Sequence, residues 1–128
     1  MSRKSKGIGA ERELIHLFWK TGKFAAIRVA GSGSIKYPVP DIFAASPSKK
    51  YAIECKALKG DSQYIEKKAV EELKTFAQIV GARPLIAVRF DNTGWFFLSP
   101  EGLKDSGNTY CIRKDEVEFR AQKFEEII

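Results

Sequence analysis

The chain has 128 residues, of which 44% are hydrophobic, and this length and composition suit one folded domain and exclude a wholly disordered chain. The formal net charge is +6, which favours a polyanionic partner such as nucleic acid. Ribosomal proteins, RNA-binding modules and membrane-surface proteins share this bias, so charge alone leaves the function open.

The cysteine content and the N-terminus favour a cytoplasmic location. Cys55 and Cys111 are too few for a disulfide scaffold, and together with the single histidine they give no zinc-site spacing. The basic, polar start of the chain does not resemble a secretory signal, and no apolar run is long enough to span a membrane. We therefore expect a protein of the reduced cytoplasm without a membrane partner.

The first third of the chain is predicted to form an arm, a helix and a strand. Residues 1–7 are basic and polar, and we interpret them as a flexible arm that is either solvated or in contact with phosphate. The spacing of apolar residues predicts a helix over residues 8–20, with Glu11 inside the apolar stripe and Glu13 facing water. A strand is predicted over residues 24–30.

The middle of the chain is predicted to form a hairpin. An irregular, Gly/Ser-rich stretch over residues 31–40 is followed by short strands at residues 41–45 and 51–58, with a turn between them. Side chains alternate along a strand, so Glu54 and Lys56 are expected on one face of the second strand.

The remainder of the chain completes an α/β pattern. We predict a loop at 60–63, a helix over 64–80, strands over 85–90 and 95–98, and a short C-terminal helix. That last helix depends on the helical spacing of Val117, Ala121, Phe124 and Ile128. The element order predicts a single α/β domain over residues 1–128, with a central mixed sheet of about five strands flanked by helices.

Acidic side chains next to a lysine indicate phosphodiester chemistry. One or two Mg²⁺ ions held by carboxylates can activate water and neutralise phosphoryl oxygens, and a nearby lysine can offset developing negative charge. Asp41 begins one strand of the predicted hairpin, and Glu54 and Lys56 lie on the other. Glu11 is expected to reach the same place from the helix above the sheet.

The Glu-x-Lys pattern is weak by itself because it occurs three times. Glu66/Lys68 and Glu72/Lys74 fall in the predicted second helix, where residues two apart do not share a face, and we interpret them as solvated charges. Only the pair at 54 and 56 interrupts an apolar run, where charges are costly without partners or a ligand. A buried ion-pair cluster is the structural alternative to an active site.

These motifs resemble those of a known nuclease superfamily. The Pro-Asp at 40–41 followed by Glu-x-Lys at 54–56 resembles the signature of the PD-(D/E)xK nucleases. Within that superfamily the chain more closely resembles the archaeal Holliday junction resolvases, from about residue 3 to residue 99. The matching segments are Lys6-Gly7, residues 10–14, Arg28-Val29-Ala30 with the Gly/Ser stretch, Pro38 to Asp41, residues 53–56, and Val88 through Trp95.

The resemblance implies a homodimer that binds four-way DNA junctions and cuts two opposed strands with Mg²⁺, for which Mn²⁺ is a possible substitute. It implies that Glu11, Asp41 and Glu54 support the metal, that Lys56 assists the water, and that Ser32 acts from a loop near the junction centre. The residues assigned to DNA binding are basic or lie in the Gly/Ser stretch, namely Arg3, Lys4, Lys6, Arg12, Arg28, Ser34, Lys36 and Lys59.

Three other functions remain open at this stage. Another nuclease of the superfamily, acting on duplexes, flaps or ends, shares the core motif. A non-catalytic junction-binding module with a relict site is a second alternative, against which the intact Asp41, Glu54 and Lys56 argue. A basic RNA-binding protein is a third, although no aromatic RNA-recognition motif supports it.

Overall fold

The computed structural model describes residues 3–91 and 94–128, with side chains described from Gly7 onward. The helices are α1 (Arg3–Lys20), α2 (Lys67–Val80), α3 (Lys114–Arg120) and α4 (Phe124–Ile127). The strands are β1 (Ala25–Arg28), β2 (Ile42–Ala45), β3 (Lys50–Leu58), β4 (Ser62–Glu66), β5 (Arg83–Phe90), β6 (Gly94–Leu98), β7 (Lys104–Asp105), β8 (Thr109–Arg113) and β9 (Gln122–Lys123). Within the described residues, no helix has the length and apolar character needed to cross a membrane.

A mixed six-stranded sheet forms the centre of the fold, in the order β1-β2-β3-β5-β6-β9. β3 and β5 are parallel, and the other neighbours in this sheet are antiparallel. The chain between the two parallel strands carries α2, because a parallel pair requires a crossover. The predicted α/β class and the hairpin of the 41–45 and 51–58 strands are confirmed.

The sheet separates two apolar cores. On one face α1 buries Leu14 and Phe18 against Ile53 of β3. On the other face α2 buries Leu73 against Ala52, and each fully buried leucine contributes roughly 1.5–3 kcal/mol. Alternation along β3 therefore directs odd-numbered residues towards α1 and even-numbered residues towards α2.

The first helix begins earlier than predicted. We expected a flexible arm at residues 1–7 and a helix from residue 8, but α1 is helical from Arg3. Gly7 and Gly9 lower the helix propensity of this segment. The sequence therefore predicted a helix start that is several residues too late. Residues 1–2 lie outside the described part of the chain.

The segment before the second helix is a strand, not the predicted loop and helix start. β4 pairs with β8 in a separate three-stranded sheet with β7, and Ile65 faces Tyr110 in that register. Residue Ile65 is buried there, 1% exposed. α2 begins only at Lys67 and ends before Gly81, which caps the helix with a φ of 71°.

The C-terminal residues do not form the single helix that their spacing predicted. α3 ends at Arg120, Ala121 is extended, and β9 pairs with β6 before α4 begins. Val117 belongs to the core beneath α2, whereas Ile127 belongs to the core beneath α1. One short helix cannot serve both faces of a sheet, so the chain crosses the sheet edge through β9.

Candidate active site

Asp41 is fixed by hydrogen bonds at the point where β2 begins. Its amide donates to the carbonyl of Ile53 (3.0 Å), and its own carbonyl accepts from Val29 (2.8 Å). One carboxylate oxygen accepts the Ser32 hydroxyl (2.5 Å), and the other accepts the backbone N–H of Cys55 (2.9 Å). Both oxygens are thereby oriented by the protein before any ligand binds.

Glu54 lies directly beside Asp41. Ile42 pairs with Ile53, so continuing the antiparallel register by one residue places Asp41 opposite Glu54. Burial, the charge of Asp41 and a hydrogen bond between the two carboxyls together raise the pKa of Glu54 to about 8. Two buried carboxylates this close repel each other when both are ionised. The site therefore favours a state in which a proton or a cation lies between them.

Lys56 supplies positive charge on the same face of β3. The Lys56 ammonium lowers the pKa of Glu54, but burial and the charge of Asp41 raise that pKa by more. The even-numbered side chains of β3 face α2, so Lys56 and Glu54 both lie on the α2 side of the sheet. This confirms that the pair shares one face.

Glu11 reaches the site from the α1 side. Its carboxylate lies 3.6 Å from Arg28 Nη1, and both side chains are mostly buried. Burial and the charge of Asp41 raise the pKa of Glu11, while Arg28 acts in the opposite direction. Among the described residues no three Asp, Glu, His or Cys side chains are grouped closely enough to hold one metal ion. Asp41 and Glu54 are the close pair, and a metal-supporting role for Glu11 stays a prediction.

A cleft of about 250 Å³ opens over Asp41 and Glu54. One wall comes from the stretch before β2, with Ser32, Ile35 and Val39, and the opposite wall comes from the start of α2. A larger cleft of about 610 Å³ lies against β4, β8 and α3, but it shares no lining residue with the first. The acidic cleft is thus the place where substrate can meet both carboxylates.

The Gly/Ser stretch contains a hydrogen-bonded turn. Gly31 has a φ of 67°, and Ser32–Ser34 form a single 3₁₀ turn. The Ser34 hydroxyl donates to the Gly31 carbonyl at 2.9 Å. This turn holds Ser32 against Asp41, so the serine singled out from the sequence reaches the acidic centre.

The other predicted DNA-binding residues stay predictions. Arg12, Lys36 and Lys59 are exposed, whereas Arg28 is mostly buried against Glu11. The side chains of Arg3, Lys4 and Lys6 lie outside the described part of the structure.

Sequence reasoning missed two features around the site. Glu13 is partly exposed as predicted, but its carboxylate also accepts hydrogen bonds from Trp95 Nε1 (2.9 Å) and Arg89 Nε (3.0 Å). These bonds tie α1 to β5 and β6. The second missed feature is the wall of the cleft formed by the end of β4 and the start of α2. Its Glu66 and Glu72 appeared in the sequence only as part of repeated Glu-x-Lys patterns.

The fold and the paired acids define the class of protein. An acid at the start of one strand faces Glu-x-Lys on the antiparallel neighbour, inside a mixed sheet covered by helices. This arrangement is that of the PD-(D/E)xK, restriction-endonuclease-like nucleases.

Comparison with known proteins gives the family. The family model described as archaeal Holliday junction resolvase (Hjc) matches residues 2–128. The crossover junction endodeoxyribonuclease Hjc of Archaeoglobus fulgidus is 40% identical over 85% of this chain and 79% of that protein. The protein of the same name from Methanocaldococcus jannaschii is 35% identical over 96% of this chain and 86% of its own length.

A solved structure agrees with this assignment. Archaeoglobus fulgidus Hjc, a Holliday junction resolvase from an archaeal hyperthermophile, superposes with a TM-score of 0.85 at 35% identity, covering 91% of this chain and 94% of that chain. The chain belongs to the archaeal Holliday junction resolvase family.

Proposed function

We propose that this chain is a structure-selective endonuclease that resolves four-way DNA junctions by hydrolysing phosphodiester bonds with Mg²⁺, in recombination and repair. The observation that carries the proposal is the facing pair Asp41 and Glu54 at the base of an open cleft, in a chain of the resolvase family. We also propose that it acts in the cytoplasm, the reduced compartment that the cysteine content predicts.

The donor atoms fit a hard divalent cation. Asp41 and Glu54 offer carboxylate oxygens, which Mg²⁺ prefers and Mn²⁺ also accepts, and Mg²⁺ needs few ligands from the protein. Burial and then the charge of Asp41 raise the pKa of Glu54, and a cation held between the two carboxyls would relieve their repulsion. When bound there, the ion supplies an activated water and neutralises charge on the phosphate.

The side chains around the pair have separate roles in the proposed reaction. Lys56 orients the water or offsets negative charge that develops on the phosphoryl oxygens. Ser32 fixes the carboxylate of Asp41 through its hydroxyl and lies at the wall of the cleft. Arg28, paired with Glu11, adds positive charge beside the acidic centre, which favours the approach of the DNA backbone.

An apolar surface on the α2 side of the sheet supports a homodimer. Ile27 and Phe43 are register partners on β1 and β2, and Phe43 contacts Phe76 of α2 edge-on at 5.9 Å between ring centroids. Ile79, one turn further along α2, is 76% exposed, and Ile27 is 61% exposed. We propose that a second copy covers this surface, because a two-fold dimer places one site on each of two opposed strands.

Ile79→Asp is expected to convert the dimer into monomers at micromolar concentration. A carboxylate at the centre of an apolar interface loses its water on association, which weakens the dimer. The monomer should still fold, because the side chain of residue 79 is exposed to solvent there. Light scattering coupled to size exclusion measures the mass directly. Phe119→Asp is the matched control, because Phe119 is also exposed but lies on α3. A wild-type protein that is already monomeric contradicts the proposal.

Cleavage of a labelled immobile four-way junction tests the proposed activity, beside a linear duplex of the same sequence. We expect paired symmetric nicks on the junction alone in Mg²⁺, and none after EDTA is added. Equal cutting of the duplex would identify a general nuclease of the superfamily. Tight junction binding without cutting in Mg²⁺ or Mn²⁺ would identify a binding module instead.

A further inference from the structure

The wall of the cleft at the start of α2 carries charged side chains that have no role in the proposed reaction. Glu66, Lys68, Ala69 and Glu72 face the same cleft as Asp41 and Glu54. The sequence pattern indicated solvated charges, and the Lys68 side chain is indeed mostly exposed, but these residues also line the open cleft. Lys68 and Glu72 lie one helical turn apart, so both reach the cleft together.

The lining of the cleft is strongly acidic. Asp41, Glu54, Glu66 and Glu72 all contribute carboxylic acids, and Lys68 is the basic residue among the described residues that line it. A DNA phosphate entering this cleft meets repulsion from the α2 wall even when a cation occupies the opposite side. Lys68 is placed to reverse that repulsion.

The Lys68 ammonium is only loosely engaged. It lies 4.0 Å from the Glu72 carboxylate, at the limit of an ion pair, and its side chain is 83% exposed. An exposed pair of this kind contributes little stability, so Lys68 can leave Glu72 at small cost. Lys74 on the same helix pairs instead with Glu71 at 3.6 Å, and it does not line the cleft.

We propose that Lys68 is a substrate-positioning residue that contacts a DNA phosphate at the α2 wall of the cleft, beside the phosphate attacked at Asp41 and Glu54. This rests on the proposed function. The contact sets how deep the strand lies in the cleft, because phosphate contacts position DNA without reading its sequence. Lys68 therefore acts on binding and alignment, while the bond-breaking groups remain on β2 and β3.

Lys68→Gln is expected to weaken junction binding in EDTA by roughly five- to tenfold and to lower the slope of log K against log salt by about 1, as for one lost phosphate contact. Single-turnover cleavage in Mg²⁺ should recover when protein is raised above the new Kd. Lys74→Gln is the matched control and should leave binding and salt slope unchanged. Lys68→Gln should melt within a degree or two of wild type because its side chain is exposed, and so should Lys74→Gln, because the ion pair of Lys74 with Glu71 on the helix surface contributes little stability.

The double variant with Lys68→Gln and Glu72→Gln separates a phosphate contact from simple charge balance. It removes one positive and one negative charge, so it restores the net charge of the cleft without restoring the ammonium. We expect binding to stay weak. Recovery to wild-type affinity, or equal binding by Lys68→Gln and Lys74→Gln, overturns the proposal. Binding is read in EDTA, so this result stands apart from whether the wild-type chain cuts junctions.

Discussion

Asp41→Asn is expected to abolish junction cleavage, lowering the single-turnover rate by about a thousandfold or more, which corresponds to roughly 4 kcal/mol of transition-state stabilisation. A neutral amide keeps one oxygen but loses the negative charge, so the pair with Glu54 is expected to hold a divalent cation much more weakly. The fold should survive, because the amide oxygen can still accept the Cys55 N–H and the amide nitrogen can donate to the Ser32 hydroxyl.

Junction binding distinguishes a variant that has lost catalysis from one that no longer folds. Binding in EDTA should equal or exceed that of wild type, since one carboxylate that repels phosphate has been removed. Asp115→Asn is the control, because this exposed acid on α3 lies outside the cleft. Normal cleavage by Asp41→Asn would remove Asp41 from the mechanism and with it the assignment of the acidic cleft as the active site.

The centre of the site was predictable from the sequence because it depends on local periodicity. Glu54 and Lys56 share a face by the two-residue period of any strand, and a short turn between two strands predicts that Asp41 meets them. Neither inference needs a contact between distant parts of the chain. The structure confirms the hairpin register and the shared face.

The surroundings of the site depend on long-range pairing and were not predictable in the same way. β4 exists because residues near 110 pair with it, and no pattern within 62–66 separates such a strand from a helix start. The cleft wall was hidden for the same reason, because Lys68 and Glu72 meet the cleft of Asp41 only through the packing of α2 on the sheet. The C-terminal spacing failed for a related reason, since Val117 and Ile127 serve cores on opposite faces of the sheet.

Glu54→Gln is expected to abolish cleavage and yet to stabilise the metal-free protein at alkaline pH. The folded pKa of Glu54 is raised to about 8 from its ordinary value of 4.5. Between these values the folded state holds a proton that the unfolded state has lost, so the free energy of unfolding falls as pH rises through this window. Glutamine carries no charge at any pH, and we expect it to add about 1–2 kcal/mol above pH 8 after allowing for solvent relaxation.

If Glu54 holds the ion, the protein with the higher melting temperature should be Glu54→Gln in EDTA and wild type in Mg²⁺. At about pH 9 in EDTA the variant should melt higher, and at about pH 5 the two should converge, because Glu54 is then protonated in wild type. Mg²⁺ should raise the melting temperature of wild type and have little effect on the variant, because only the wild type binds it through this carboxylate. Glu118→Gln, an exposed acid on α3, should follow wild type throughout. A variant that gains as much from Mg²⁺ as wild type would mean that the ion is held elsewhere, and that the proximity of Glu54 to Asp41 serves the fold and not the metal.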